Sequence, residues 1–130
     1  ILETDLESII GKDPDNATAL NALGYTLADR GERLDDAYDY IKRAYELSPG
    51  DFYILDSMGW VLYRLGRLDE AIDFLQKAFD LRNDPEVAAH LGEVHWIMGN
   101  KQAAKAVWET ALQDTPADDR LLKVIERFSP

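Results

Sequence analysis

The chain contains no cysteine. That absence removes disulfides, thiolate catalysis and Cys-ligated zinc or iron–sulfur sites from consideration. It leaves the compartment open, since cytosol and periplasm both suit such a chain. Positive charge is scarce: 14 Lys and Arg stand against 25 Asp and Glu, a net charge of −11 with neutral histidines. Proteins that grip nucleic acid rely on Lys and Arg to neutralise phosphates, so neither nucleic acid nor an anionic lipid surface is an expected partner. No apolar run approaches the roughly 18 residues of a membrane span.

Groups that carry chemistry are equally sparse. His90 and His95 are the only histidines, and five residues apart on a helix they point about 140° from each other, so they cannot share a metal on one face. The string HLGEVH fails both the H-E-x-x-H and the H-x-x-E-H zinc patterns. His95 takes a helix position that Leu27 and Leu62 hold elsewhere, which reads as a packed, partly buried histidine. Ser57 and His90 occupy the same place in successive segments, but helices packed about 8–10 Å apart keep such side chains beyond the ~3 Å of general-base activation. No G-x-S-x-G elbow, phosphate loop or dinucleotide glycine fingerprint is present. The acid pairs Asp35–Asp36 and Asp118–Asp119 fall at helix starts, where capping and the helix dipole account for them. The sequence therefore reads as a protein without enzymatic activity, cofactor or metal.

What is present is a globular composition: 130 residues, 46% hydrophobic and 30% charged, enough for one domain or a short run of repeats. The chain begins at Ile1 with neither an initiator Met nor a signal-like segment, and is expected to be a piece of a longer protein.

Three segments align: LNALGYTLADRGERLDDAYDYIKRAYELSP, LDSMGWVLYRLGRLDEAIDFLQKAFDLRND and AAHLGEVHWIMGNKQAAKAVWETALQDTP. Gly24, Gly59 and Gly92 share one column, and a second glycine follows each by seven residues at Gly31, Gly66 and Gly99. Ala37, Ala71 and Ala104 form a third column, and Ala44, Ala78 and Ala111 a fourth. Pro14, Pro49 and Pro116 also share a phase, with Asn83 in the missing place.

Each segment reads as two amphipathic helices joined by a glycine turn. The first helices, A, are expected near 17–30, 52–65 and 85–98, and the second, B, near 34–47, 68–81 and 101–114. A mid-helix glycine costs roughly 1 kcal/mol against Ala. Three in register imply a packing reason, namely close approach of helix B, with the alanine columns serving the same end. Gly31, Gly66 and Gly99 suit a left-handed C′ position, and Asp84–Pro85 suits an N-cap followed by the first helical residue. The first segment has one extra residue between Gly31 and Ala37, assigned to the turn.

The ends differ from the middle. Leu2, Leu6 and Ile9 keep the phase of Ala37, Ile41 and Ala44, which makes residues 1–13 a helix B whose helix A is missing. Leu2, Leu6, Ile9 and Ile10 are then expected to be exposed, and to invite self-association of two chains. After Pro116, a helix near 118–128 carries Leu121, Leu122, Ile125 and Phe128 on one stripe and Asp119, Arg120, Lys123 and Arg127 opposite, the pattern of a terminal cap. The C-terminus thus reads as native and the N-terminus as cut.

A period near 34 with these four columns resembles the tetratricopeptide repeat, TPR. The resemblance covers nearly the whole chain and implies an all-α right-handed solenoid. The expected count is seven helices, made of one orphan helix, three pairs and a cap. The implied divisions are 1–13, three repeats over 14–118 (about 17–51, 52–84 and 85–118), and 119–130. It also implies a protein-binding concave face at the second, fifth, ninth, twelfth and thirteenth positions of each repeat. Those are Thr18, Asn21, Tyr25, Ala28 and Asp29, then Tyr53, Asp56, Trp60, Tyr63 and Arg64, then Glu86, Ala89, Glu93, Trp96 and Ile97.

Two consequences follow from the resemblance. TPR domains that clamp chaperone C-termini place Lys, Asn and Arg at the fifth and ninth positions, whereas only Asn21 is compatible here, so a dicarboxylate clamp is not expected. The candidate groove set is Asn21, Tyr25, Asp56, Trp60, Tyr63, Arg64, Glu93 and Trp96. Aromatics are common interface hot spots, and Asp56 and Glu93 beside them suit a partner peptide bearing Lys or Arg. Tyr63 and Trp96 read rather as core packing, and Tyr25 and Trp60 stand between the two roles.

Within the superfamily, NALGYTLADR, DSMGWVLYRLGR and AAHLGEVHW resemble the C-terminal repeats of proteobacterial TPR lipoproteins of the outer membrane. That resemblance implies the periplasmic side of the outer membrane, with the cytoplasm as alternative. It also implies an adaptor that brings a carboxyl-terminal processing protease to cell-wall hydrolase substrates. The alternative is a purely structural solenoid cap or self-association module without its own ligand.

Overall fold

The computed structural model describes residues 3–129. Among them are eight α-helices and no strand. They are α1 (Glu3–Lys12), α2 (Ala17–Arg30), α3 (Leu34–Leu47), α4 (Phe52–Arg64), α5 (Leu68–Leu81), α6 (Pro85–Ile97), α7 (Lys101–Asp114) and α8 (Asp119–Phe128). The count is eight rather than seven, because an orphan, three pairs and a cap sum to eight.

Local chemistry starts and stops these helices. Asn16, Asp51, Asp84 and Asp118 cap α2, α4, α6 and α8 by accepting hydrogen bonds from first-turn backbone N–H groups, and Pro85 opens α6. These caps satisfy donors that a helix N-terminus leaves without internal partners. Helices α3, α5 and α7 have no side-chain cap. They are entered through a tight turn that also closes the preceding helix. In each turn the glycine is left-handed (φ 71°, 82° and 89°), and the next N–H reaches back five residues: Glu32 to Leu27, Arg67 to Leu62 and Asn100 to His95. This is the Schellman closure, which needs a residue without a Cβ penalty. The extra residue of the first turn is Arg33, which itself takes a left-handed conformation (φ 47°).

Each A helix packs on its own B helix, and the contact is made where the mid-helix glycine leaves room. A Cβ on Gly24 would stand 2.5 Å from Ile41 Cγ1 and 2.9 Å from the Ala37 carbonyl oxygen. Gly59 is covered in the same way by Leu75, and Gly92 by the Trp108 indole. Ile41, Leu75 and Trp108 are themselves buried, each flanked by the alanines of its column. Helices α4 and α6 are buried nearly all round over Phe52–Leu62 and Val87–Val94, the signature of inner helices with neighbours on several sides.

Two expectations about the ends are corrected. Leu6 is only 3% exposed and packs into the core with Leu23 and Leu27 of α2, while Ile9 and Ile10 are half-buried against it. The anticipated exposed patch is therefore largely absorbed by α2, because a B helix also covers the A helix that follows it; Leu2 lies outside the described residues. Helix α8 does bury Leu121 and Val124, but it lies chiefly on α6 as a fourth inner helix. Its charged face is thereby turned along the inner wall.

Candidate interaction groove

The inner wall is built by α2, α4, α6 and α8. Between them lies an open groove of about 420 Å³. Trp60, Ala89, His90 and Val124 contribute the less polar part of its lining, with Asp29, Glu93 and Asp119 adding acidic groups and Arg120, Lys123 and Arg127 of α8 adding basic ones. The Trp60 and His90 rings stack at 4.1 Å between centroids, with Tyr63 5.1 Å from the indole. Trp60 is 7% exposed and its Nε1 has no hydrogen-bond partner among the described residues. It is a buried floor, not a projecting side chain.

A hydrogen-bonded network crosses all four inner helices beside this floor. His90 Nδ1 on α6 donates to Asp56 Oδ1 on α4 at 2.9 Å, and both side chains are buried. Tyr25 on α2 donates its hydroxyl hydrogen to Glu86 Oε1 at 3.0 Å. Arg120 Nη1 on α8 donates to the same Glu86 oxygen at 2.7 Å and lies 3.4 Å from the Tyr25 hydroxyl. The Tyr25 hydroxyl is also 3.4 Å from His90 Nε2. Burial alone would lower the His90 imidazole, but the charge and hydrogen bond of Asp56, helped by Glu86, outweigh it and raise its pKa. Burial and then the Glu86 charge raise the Tyr25 phenol above its usual range.

Asp56, Glu86 and His90 can each point one ligand atom at a common place, within 4.8 Å of one another. They are nevertheless occupied with each other and with neighbours: Asp56 with His90, and Glu86 with Tyr25 and Arg120. The cluster holds helices together by charge-assisted hydrogen bonds. Reasoning on the histidine pair alone does not reach it. Glu86 and His90, four residues apart on one helix, are the available signal, and the partner of His90 is Asp56 rather than the adjacent Ser57.

The anticipated groove residues separate into four places. Trp60 and Glu93 line the 420 Å³ groove. Asn21, Tyr25 and Asp56 line a smaller hollow of about 190 Å³ with Ala22, Tyr53, Ser57 and Glu86. Tyr63 and Arg64 sit at the turn edge with Gly31, Leu34, Leu68 and Ile97, where Arg64 Nε donates to the Ala28 carbonyl at the end of α2 at 3.0 Å. Trp96 packs between Trp108 and Phe128, in the contact of α6 with α7 and α8. The sequence pattern puts Arg120, Lys123 and Arg127 on the solvated side of a cap, whereas the position of α8 brings them to the groove.

This architecture is that of a helical-repeat scaffold. The Tetratricopeptide repeat family profile matches residues 15–84, and the chain belongs to that family. Proteins of this family mediate protein–protein interaction and are typically non-catalytic. The chain is 50% identical over 92 residues to the TPR repeat-containing protein PA4667 of Pseudomonas aeruginosa, a match covering 71% of this chain and 16% of that protein. It thus spans a small part of that relative's length. Among solved structures it superposes on MamA with a TM-score of 0.77 at 25% identity, covering 95% of this chain and 72% of that one. It also superposes on TTC0263, a thermophilic TPR protein of Thermus thermophilus, with a TM-score of 0.82 at 23% identity, covering 98% and 69%.

Proposed function

We propose that the groove between α2, α4, α6 and α8 receives an extended segment of a partner protein. The observation that carries this reading is the groove itself: about 420 Å³, floored by the Trp60–His90 stack and rimmed by charges of both signs. Concave sites of this volume with convergent polar groups are where ligands bind. The rim includes three basic residues from α8, so the partner segment is not simply basic, as the acidic positions of α4 and α6 alone would suggest. Charge reversal tests it. Lys123→Glu with Arg127→Glu is expected to abolish capture of the partner by the full-length protein, whereas Lys42→Glu on the exposed side of α3 is not. Equal capture by both variants would overturn the reading.

The finer assignment is an adaptor segment that helps a carboxyl-terminal processing protease engage its substrates on the periplasmic side of the outer membrane. It rests on the resemblance of the three repeat strings. Proteolysis of a cell-wall hydrolase by the purified protease, with the full-length protein present or lacking this segment, tests it; equal rates would overturn it. No helix among the described residues is long and apolar enough to cross a membrane. A purely structural spacer is the second reading, favoured by the burial of Trp60. Self-association through α1 would rest on Ile9 and Ile10, and a strict monomer in sedimentation at high concentration would exclude it.

A further inference from the structure

The smaller hollow of about 190 Å³ differs from the rest of the inner wall. Tyr25 and Tyr53 bring aromatic rings to it, Asp56 and Glu86 bring carboxylates, and none of its lining residues is basic. Asn21 also lines it, and its Oδ1 is buried without a hydrogen-bond partner among the described residues. Tyr53 is 58% exposed, with the Phe52 ring 4.2 Å away between centroids, so the rest of its ring is open to a ligand. The neighbouring nitrogen donors approach from outside this lining: His90 at Asp56, Arg120 at Glu86, and Arg82, whose guanidinium carbon lies 5.9 Å from the Tyr53 ring centre. Arg120 is an internal precedent, because one guanidinium already binds Glu86 Oε1 and the Tyr25 hydroxyl.

We propose that this hollow is a subsite for an arginine side chain of the partner segment, and that Arg120 holds its outer lip in the free chain. The proposal rests on the groove reading above and adds the chemistry of one recognised residue. A guanidinium fits this lining in two ways at once: its face stacks on tyrosine and its edge donates in a fork to a carboxylate. An incoming arginine that takes Glu86 from Arg120 exchanges one cation for another, so no uncompensated charge is buried. Arg120 is a replaceable partner, since its side chain is 52% exposed and that of Glu86 is 37% exposed. An ion pair of that exposure is worth at most about 1 kcal/mol, a factor of about five in an equilibrium constant.

The probe is acetyl-Ala-Arg-Ala-amide, titrated into the ¹⁵N-labelled chain and followed by backbone amide shifts. Counterparts carrying citrulline, which keeps the shape without the charge, or glutamate in place of arginine run beside it. The expected result is saturable shifts at Tyr25, Tyr53 and Glu86 with the arginine peptide, and binding at least tenfold weaker with citrulline. Tyr53→Ala, at an exposed position, and Glu86→Gln are expected to weaken the arginine peptide, whereas Arg120→Gln is expected to tighten it about fivefold. Thermal melts of each variant confirm that the fold is kept. Equal binding of arginine and citrulline peptides overturns the subsite, as does weaker binding by a well-folded Arg120→Gln variant. Shifts along α8 with the glutamate peptide alone overturn the subsite while leaving the groove reading intact. No shift with any of the three overturns both.

Discussion

Trp60→Ala separates a floor from a hot spot. The indole is 7% exposed, stacked on His90 at 4.1 Å and adjacent to Tyr63 at 5.1 Å. Truncating a buried Trp costs about 3–5 kcal/mol through lost transfer energy and the cavity left behind. The same change also removes an Nε1–H that is buried without a partner, a group whose burial is itself unfavourable by about 1–3 kcal/mol. The expected loss is therefore at the low end, about 3 kcal/mol. A chain of 130 residues should shift by roughly 4 °C per kcal/mol, so the melting temperature should fall by about 12 °C. Trp60→Phe keeps a ring against His90 and drops the unpartnered N–H, and should stay within about 1 kcal/mol of the parent. Calorimetry on the three chains at one pH reads both numbers. A fall of less than about 3 °C for Trp60→Ala would refute the reasoning, because a residue that packs the floor cannot be removed at so small a cost.

Other perturbations follow from the same geometry. Gly24→Ala places a Cβ 2.5 Å from Ile41 Cγ1 and 2.9 Å from a backbone oxygen; overpacking of about 1–3 kcal/mol should exceed the ~1 kcal/mol gained in helix propensity. Gly11→Ala, with nothing within 4 Å, should be neutral or slightly stabilising when both variants are compared with the parent by urea titration. Leu6→Asp should destabilise by about 1.5–3 kcal/mol or more, seen as early proteolysis near α1, because Leu6 is buried and a charge there has no partner. The His90–Asp56 pair makes stability pH-dependent. The folded His90 pKa lies above the ordinary 6.5, so the contribution of the protonated pair is complete below that ordinary value and is lost as pH rises through the folded one. Asp56→Asn should remove this trend in melts run from below pH 6.5 upward and drop the His90 titration seen by NMR. A parent whose melting temperature climbs relative to Asp56→Asn over that range would contradict it.

Most of the scaffold was legible because its determinants are local and periodic. The four small-residue columns, the turn glycines and the Asp84–Pro85 start each act within a turn or across one helix pair, where sequence spacing translates directly into contact. The glycines at 24, 59 and 92 announced a close approach, and Ile41, Leu75 and Trp108 are the side chains that make it. The helix bounds agreed to within a residue or so for the same reason. The groove was legible only in part. Position numbering put Trp60 and Glu93 in it, but could not separate a floor from a rim, because exposure depends on what the next helix covers.

The sequence by itself determined the repeating helix pairs, their caps and turns, and which face of each helix is apolar, since 3.6-residue periodicity and backbone conformational preferences act along the chain. Only the tertiary structure decided which polar groups meet. Asp56 with His90, Tyr25 with Glu86, and Arg120 with both Glu86 and Tyr25 join residues 34 to 95 apart in sequence. The superhelical path of the solenoid brings α2, α4, α6 and α8 to one wall, and so turns the charged side of α8 into a wall of the groove. A side chain's neighbours across such a wall depend on the accumulated rotation of several packed helices, and no single repeat encodes that rotation.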